Sequence, residues 1–187
     1  MKLNNEEINR YSRHLTLPEV GMAGQLKMKE AKVLMIGAGG LGSPLGMYLG
    51  AVGVGKLGLV DFDVVDHTNL HRQIAHASAD EGRSKVDSLR DTILAGNPNI
   101  EVEVYNIRLE RKNVLELFHQ YDIIADGSDN FETRYLISDA AYFTKKPLVS
   151  ASIFRFQGQI TIFAPESGGP CYRCLYSEPP PAALVPS

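Results

Sequence analysis

Three glycines in one short segment are the residues of this chain that point most directly to chemistry. Gly37, Gly39 and Gly42 form the pattern G-x-G-x-x-G directly after residues 33–36, a continuous apolar run. Such a run is typical of a buried parallel strand. The first glycine permits a tight turn, the second lets a phosphate approach the backbone, and the third lets a helix pack close to the sheet. The N-terminus of that helix offers unpaired N–H groups to an anion.

A second apolar run and the acid that follows it complete the pattern. Residues 57–60 are apolar, and Asp61 and Asp63 come directly after them. Strand, glycine turn, helix, strand and terminal acid together predict a nucleotide-binding βαβ unit, with Asp61 placed to accept hydrogen bonds from ribose hydroxyls. The alternative is a glycine-rich turn in an ordinary α/β protein.

Residues 64–80 form a long polar loop without a sustained apolar period. Loops of this length within a compact domain are more often functional than not. His67 and His71 stand four residues apart, but no acid lies between them as in H-E-x-x-H, so a metal site is disfavoured here. The polar side chains of this loop are His67, Asn69, His71, Arg72, Gln73 and His76.

The next segment, residues 82–95, has the apolar spacing of an amphipathic helix, with Arg83 and Lys85 in its predicted first turn. Cations at this end oppose the helix dipole. Two interpretations remain open: an anionic ligand that the helix end and Lys85 bind together, or a screened surface lysine.

Two aspartates follow another predicted strand, residues 121–125. Asp126 and Asp129 would lie at the carboxyl end of that strand, beside the glycine turn, where ligands bind in open α/β sheets. A carboxylate there can hold magnesium. The alternative is that Asp129 caps the predicted helix 130–143.

The remaining segments alternate strands and helices without a repeat. They predict an α/β fold with one doubly wound, mainly parallel Rossmann-like sheet. An N-terminal helical extension (1–30) would precede a nucleotide-binding core (31–165) and the start of a further region (166–187). In the extension, a helix over residues 5–14 is expected to be polar and solvated, with Arg10, Tyr11, Arg13 and His14 on its surface.

Composition excludes several classes of protein. The chain has 187 residues and a formal net charge of −3, which gives no general attraction to nucleic acid or to an anionic membrane. No apolar run reaches the ~20 residues of a membrane span, and the N-terminus does not resemble a signal peptide. The default expectation is a cytoplasmic protein.

The two cysteines, Cys171 and Cys174, are spaced C-x-x-C. In a reducing compartment this spacing suggests half of a metal site or a redox pair. Tetrahedral zinc needs four ligands, so these two supply half. A proline-rich tail follows, and it suggests that a C-terminal part is missing.

Taken together, the motifs resemble the MoeB/ThiF family, bacterial relatives of the ubiquitin-activating enzymes. The resemblance runs through nearly the whole chain, in order and with the spacing of the family. The matching segments are RYSRH (10–14), GAGGLG (37–42), DFD (61–63), NLHRQ (69–73), GRSK (82–85), DGSDNFETR (126–134), GQI (158–160) and PCYRC (170–174).

The resemblance implies ATP-dependent adenylation of the C-terminal Gly-Gly carboxylate of a small ubiquitin-like sulfur-carrier protein, with release of pyrophosphate. It implies that Arg72 and Lys85 contact phosphates, that Asp129 holds Mg²⁺, and that Arg13 reaches in from the partner subunit of a homodimer. It also implies zinc at Cys171 and Cys174 in the full-length protein. The implied nucleotide lining is Gly37, Gly39, Gly40, Gly42, Asp61, Asp63, Asn69, Gln73 and Asp129.

Two other functions remain as alternatives. The βαβ unit alone would equally support an NAD-dependent oxidoreductase, although cations from separate segments suit a triphosphate better. The second alternative is a non-catalytic scaffold that binds a ubiquitin-like partner. The sequence does not choose among the molybdopterin, thiamine and tRNA-thiolation pathways.

Overall fold

Short apolar segments that lie far apart in the sequence pair side by side in one six-stranded sheet, in the order β3-β2-β1-β4-β5-β6. The computed structural model describes residues 2–179. The strands β1 to β5 are mutually parallel, and β6 is antiparallel to β5. The strands are β1 (Lys32–Ile36), β2 (Lys56–Val60), β3 (Glu101–Tyr105), β4 (Ile123–Asp126), β5 (Leu148–Phe154) and β6 (Gln157–Phe163).

Helices cover both faces of this sheet, because successive side chains of a strand point to opposite sides. Leu34 and Ile36 of β1 pack in a core with the helices α6 and α7, whereas Val33 and Met35 pack in a second core with α4 and α5. The predicted doubly wound, mainly parallel α/β fold is therefore confirmed. The helices are α1 (Asn5–Arg10), α2 (Ser12–Leu15), α3 (Gly21–Glu30), α4 (Gly42–Val52), α5 (Lys85–Gly96), α6 (Val114–His119), α7 (Phe131–Thr144) and α8 (Tyr172–Leu175).

The N-terminal helices differ from the prediction of one solvated helix over residues 5–14. Asn4 caps α1 in a capping box with Glu7, but the chain leaves the helix at Tyr11 (φ −95°, ψ 14°) before α2 begins. Tyr11 was predicted on the surface, and this is wrong, since it is 3% exposed. Its hydroxyl accepts a hydrogen bond from Asn97 Nδ2 at 2.8 Å, and its ring leaves no space for a Cβ on Gly53.

The predicted start of α5 is also wrong, since this helix begins at Lys85 rather than at residue 82. Arg83 therefore lies outside the first turn of α5, where it forms ion pairs with Asp80 and Asp91. The loop over residues 64–80 contains two short 3₁₀ turns, His67–Asn69 and Ser78–Asp80.

One end of the strand order is β3, in which Val102 and Val104 alternate with polar residues, as is typical of a half-exposed strand. Most of the proline-rich tail, residues 180–187, lies outside the described residues. Within residues 2–179, no helix has the length and apolar character to cross a membrane.

A buried ion pair ties α1 to α3. Glu7 is 2% exposed, and its Oε2 lies 2.6 Å from Lys29 Nζ and accepts the backbone N–H of Asn4 at 2.8 Å. Burial acts to raise the pKa of Glu7, but the bonds from Lys29 and Asn4 and the charge of Lys29 outweigh it, so the pKa lies below its ordinary value. When folding lowers the pKa of a carboxyl group, the ionised group stabilises the folded protein. This stabilisation is fully present at pH values above the pKa of the group in the unfolded chain, and it is lost as the pH falls through the pKa in the folded protein.

We therefore predict that Glu7→Gln lowers the free energy of unfolding by about 1–3 kcal/mol at pH 7, because Lys29 loses its charged partner. The difference from wild type should shrink as the pH falls through the lowered pKa of folded Glu7, because Glu7 itself then becomes protonated. Urea unfolding at a series of pH values measures both effects. The control is Glu6→Gln, because the Glu6 side chain is 62% exposed, and it should change the stability by less than about 0.5 kcal/mol at pH 7. An equal loss for Glu7→Gln at low and neutral pH would contradict the prediction.

Candidate functional site

The glycine turn lies where the order of strands reverses. From β1 the chain runs outward through β2 and β3, and it then crosses to β4 on the other side of β1. Ile36, the last residue of β1, is paired with Asp126, the last residue of β4. The loops that follow these two strands are therefore adjacent, at the kind of switch point where open α/β sheets bind ligands.

Close backbone contacts explain two of the three glycines. Gly37 has φ +95°, and a Cβ there would lie 3.0 Å from the carbonyl oxygen of Gly127. A Cβ on Gly42 would lie 1.9 Å from the carbonyl oxygen of Gly37. The start of α4 thus packs directly against the end of β1, and any side chain at Gly42 would separate them.

Asp61 holds the glycine turn from the neighbouring strand. Its Oδ2 accepts the backbone N–H of Ala38 at 2.8 Å, and its Oδ1 accepts the N–H of Asp63 at 2.9 Å. Each carboxylate oxygen has a further lone pair, so these bonds leave Asp61 able to accept the ribose hydroxyls that the sequence predicts for it.

Arg72 and Gln73, which were predicted as site residues, lie over the glycine turn. A Cβ built on Gly40 would lie 3.1 Å from Arg72 Nη1, and one built on Gly39 would lie 3.5 Å from Gln73 Nε2. Arg72 Nη2 donates to Asn69 Oδ1 at 3.0 Å. The long polar loop therefore forms a wall over the turn, with the Arg72 guanidinium held by Asn69.

Lys85 is a buried cation at the start of α5. Its side chain is 8% exposed, and Nζ lies 2.9 Å from Asp63 Oδ2, while its backbone N–H donates to the Asp63 carbonyl at 3.0 Å. The alternative interpretation of Lys85 as a screened surface lysine is therefore wrong. The pairing links α5 to the segment after β2, directly beside Asp61.

The loop after β4 contains one aspartate with a buried side chain and one with an exposed side chain. Asp126 is 2% exposed, and its carboxylate accepts the backbone N–H of Ser128 at 2.9 Å and the hydroxyl of Ser150 at 3.3 Å. Burial raises the pKa of Asp126 above its ordinary value. Asp129 is exposed, and Asn130 caps α7 by accepting the N–H of Thr133, so the alternative role of Asp129 as that cap is wrong.

Several buried polar atoms around the turn have no hydrogen-bond partner in the described part of the chain. They include Ser43 Oγ in the first turn of α4, Gln73 Oε1 over Gly39, and Ser128 Oγ after Gly127. A buried polar group without a partner costs about 1–3 kcal/mol, so this arrangement fits a polar ligand at the turn. Ser43 and Ser128 were not among the predicted site residues, although each directly follows a glycine of the two loops.

Arg13 is not brought to this group of residues within one chain. It is exposed on α2. The segment around it is fixed at the C-terminal end of α4, where Tyr11 contacts Gly53 and Gln25 donates to the Val52 carbonyl. The eleven residues of α4 are about 16 Å long, and the glycine turn lies at the opposite end.

Cys171 and Cys174 lie close together, with their sulfur atoms 3.6 Å apart and no disulfide between them. Two sulfurs bound to one tetrahedral zinc are about 3.8 Å apart, so the pair fits half of a zinc site. Partial burial acts to raise the pKa of the Cys171 thiol, but backbone N–H groups that face it lower the pKa below its ordinary value. Residues 2–179 contain no cluster of three or more ligand-type side chains for a metal.

The fold and the site define a Rossmann-like α/β protein with a glycine turn at its switch point. A sequence model described as the ThiF family matches residues 11–187. The chain belongs to the ThiF family, and the resemblance noted from its motifs is confirmed.

Curated relatives have long, continuous similarity to this chain. A Mycobacterium tuberculosis protein named "Probable adenylyltransferase/sulfurtransferase MoeZ" is 55% identical over 188 residues, which cover 99% of this chain and 48% of that protein. The adenylyltransferase and sulfurtransferase MOCS3 of Danio rerio is 50% identical and covers 98% of this chain and 40% of its own length. The chain thus spans about half the length of the curated relatives it matches.

Solved structures have the same architecture. The crystal structure of E. coli MccB with ATP has a TM-score of 0.80 and 26% identity, and the match covers 93% of this chain and 53% of that one. The structure of PaaA also has a TM-score of 0.80 and 26% identity, with 91% of this chain and 55% of that one covered.

The packing of the turn predicts different effects for two glycine substitutions. Gly42→Ala should lower the free energy of unfolding by about 3 kcal/mol, because the new Cβ collides with the backbone of Gly37. Gly40→Ala should change it by less than about 1 kcal/mol, because the new Cβ meets only the flexible end of Arg72. Denaturant unfolding of both variants measures this, and equal stabilities would show that α4 does not pack on β1 as described.

Proposed function

We propose that this chain adenylates the C-terminal Gly-Gly carboxylate of a ubiquitin-like sulfur-carrier protein with ATP and releases pyrophosphate. The observation that carries the proposal is the position of Arg72 and Gln73 over the glycine turn. Lys85 is paired with Asp63, whose backbone N–H is held by the same Asp61 that holds the turn. Two cations from separate segments around an anion-binding turn suit a triphosphate. The names of MoeZ and MOCS3 support the same activity.

The reaction joins two anions, and this explains the chemistry of the site. A carboxylate oxygen of the carrier attacks the α-phosphorus of ATP, the bond to the bridging oxygen breaks, and pyrophosphate leaves with that electron pair. No proton has to be moved before the attack, so fixed positive charge matters more than a general base. Arg72 and Lys85 supply that charge, and the N–H groups of the glycine turn bind phosphate oxygens.

Asp129 is the proposed ligand of Mg²⁺. Its carboxylate is exposed, and the contact with Asn130 Nδ2 is long, at 3.4 Å, so it is open to a cation. Mg²⁺ prefers carboxylate oxygens together with substrate phosphates, and when bound it would neutralise charge on the leaving pyrophosphate. Asp126 is buried and bonded to Ser128 and Ser150, so it supports the loop rather than holding the metal.

Asp61, Asp63, Asn69 and Gln73 complete the proposed nucleotide lining, together with the backbone of Gly37, Gly39, Gly40 and Gly42. Zinc is proposed for the Cys171–Cys174 pair in the full-length protein. Two thiolates leave two coordination positions for ligands outside the described residues.

Arg13 is proposed to act across a homodimer. Its place at the far end of α4 from the glycine turn supports a role at the site of a partner subunit rather than at its own site. A twofold dimer would supply two such arginines, one for each site.

The role of Asp129 can be tested by removing its carboxylate. Asp129→Ala should lower ATP–pyrophosphate exchange by about 100-fold or more, because the proposed magnesium loses its protein ligand, while carrier binding changes little. Glu132→Ala is the matched control, since it removes another exposed carboxylate three residues away and should leave the exchange unchanged. Exchange and calorimetric binding are measured on the full chain with Gly-Gly-ended carriers. NADH binding without exchange would favour an oxidoreductase, and equal loss of carrier binding would indicate a structural role for Asp129.

Mixing two inactive variants tests whether Arg13 acts across the proposed dimer. Arg13→Ala and Asp129→Ala should each inactivate the chain, but a mixture that exchanges subunits should recover about one quarter of the wild-type activity. Half of the dimers would then be mixed, and each would contain one intact site. If Arg13 serves its own chain, every site in the mixture lacks one residue and no activity returns.

A further inference from the structure

His76 is a buried histidine that no step of the proposed reaction uses. It is 7% exposed, and both of its ring nitrogens have partners. Nε2 lies 2.9 Å from the carbonyl oxygen of Ala38, and Nδ1 lies 2.8 Å from Ser88 Oγ on α5. The ring thus connects α5 to the middle of the glycine turn.

The partners of His76 determine where its proton lies. The Ala38 carbonyl can only accept, so Nε2 carries a hydrogen and donates it. Nδ1 faces a hydroxyl, which can donate to it or accept from it, and Ser88 Oγ also lies 3.0 Å from Asp80 Oδ2. Burial is the main cause that lowers the pKa of His76, and the charge of Lys85 adds to it. The bond from Nε2 to Ala38 exists in the neutral and in the charged ring.

This bond also sets the direction of a second group. The peptide between Ala38 and Gly39 is planar and trans, so its carbonyl and its N–H point in opposite directions. With the carbonyl fixed on the buried His76, the N–H of Gly39 points away from the protein interior. The preceding peptide is fixed as well, since the N–H of Ala38 donates to Asp61 at 2.8 Å.

We infer that His76 is a positioning residue for the nucleotide phosphates: by holding the Ala38 carbonyl, it orients the N–H of Gly39 toward them. His76 itself touches no substrate. The inference rests on the proposed function, since it assumes that the turn binds the phosphates of ATP. In this role, the His76 ring acts through the hydrogen bond of Nε2 and not through that of Nδ1.

The test compares ATP with adenosine, which lacks phosphates. His76→Leu should weaken ATP binding by about tenfold, as expected for one lost backbone donor, and leave adenosine binding within about twofold. His76→Gln should restore most of the ATP affinity, because its amide N–H reaches about as far as Nε2. Ser88→Ala is the matched control, because it removes the partner of Nδ1 and keeps the bond to Ala38. Calorimetric binding to the full chain gives all of these values, and thermal unfolding confirms that each variant is folded.

Equal weakening of ATP and adenosine by His76→Leu would overturn the inference, and so would an effect of Ser88→Ala as large as that of His76→Leu. If wild-type protein binds NADH instead of ATP, the proposed function fails. The same comparison of NADH with adenosine then still decides the role of His76.

Discussion

The close backbone contact between the start of α4 and the end of β1 is the constraint on which the site depends. The carbonyl of Gly37 occupies the space that a side chain on Gly42 would need, and the carbonyl of Gly127 limits Gly37 in the same way. The loops after β1 and β4 are therefore packed backbone to backbone. This brings residues 126–130 next to the glycine turn.

Such a turn has few bonds of its own, so its shape is set from outside. Asp61 holds the N–H of Ala38 from the end of β2, and His76 holds the carbonyl of the same residue from the long loop. Asp126 holds Ser128 in the adjacent loop, and Arg134 Nη2 donates to the carbonyl of Ser128 at 2.9 Å. The two peptides on either side of Ala38 and the loop after β4 are thus held by side chains from other segments of the chain.

The sequence predicted the parts of the site whose signals are local. The glycine spacing, the apolar run before it and Asp61 lie within one βαβ unit, and the family motifs identified Arg72 and Lys85. It could not predict the burial of Tyr11, whose partner Asn97 is 86 residues away, or the bond of His76 to a backbone carbonyl 38 residues away. The composition of a polar helix or a polar loop is the same whether the segment is solvent-exposed or packed against the protein. The arrangement of the strands determines which of these segments is buried.

The two cations of the site have one anchor each and keep further donors free. Lys85 has three N–H donors and is bound through its ammonium to Asp63, and Arg72 has five and is bound by one side to Asn69. Each cation therefore keeps N–H donors for the proposed phosphates without losing its anchor. An unanchored lysine or arginine would lose much of its rotamer freedom on binding, about 2 kcal/mol for each side chain. Here that loss has already occurred on folding, so the charge is preorganised for an anionic ligand.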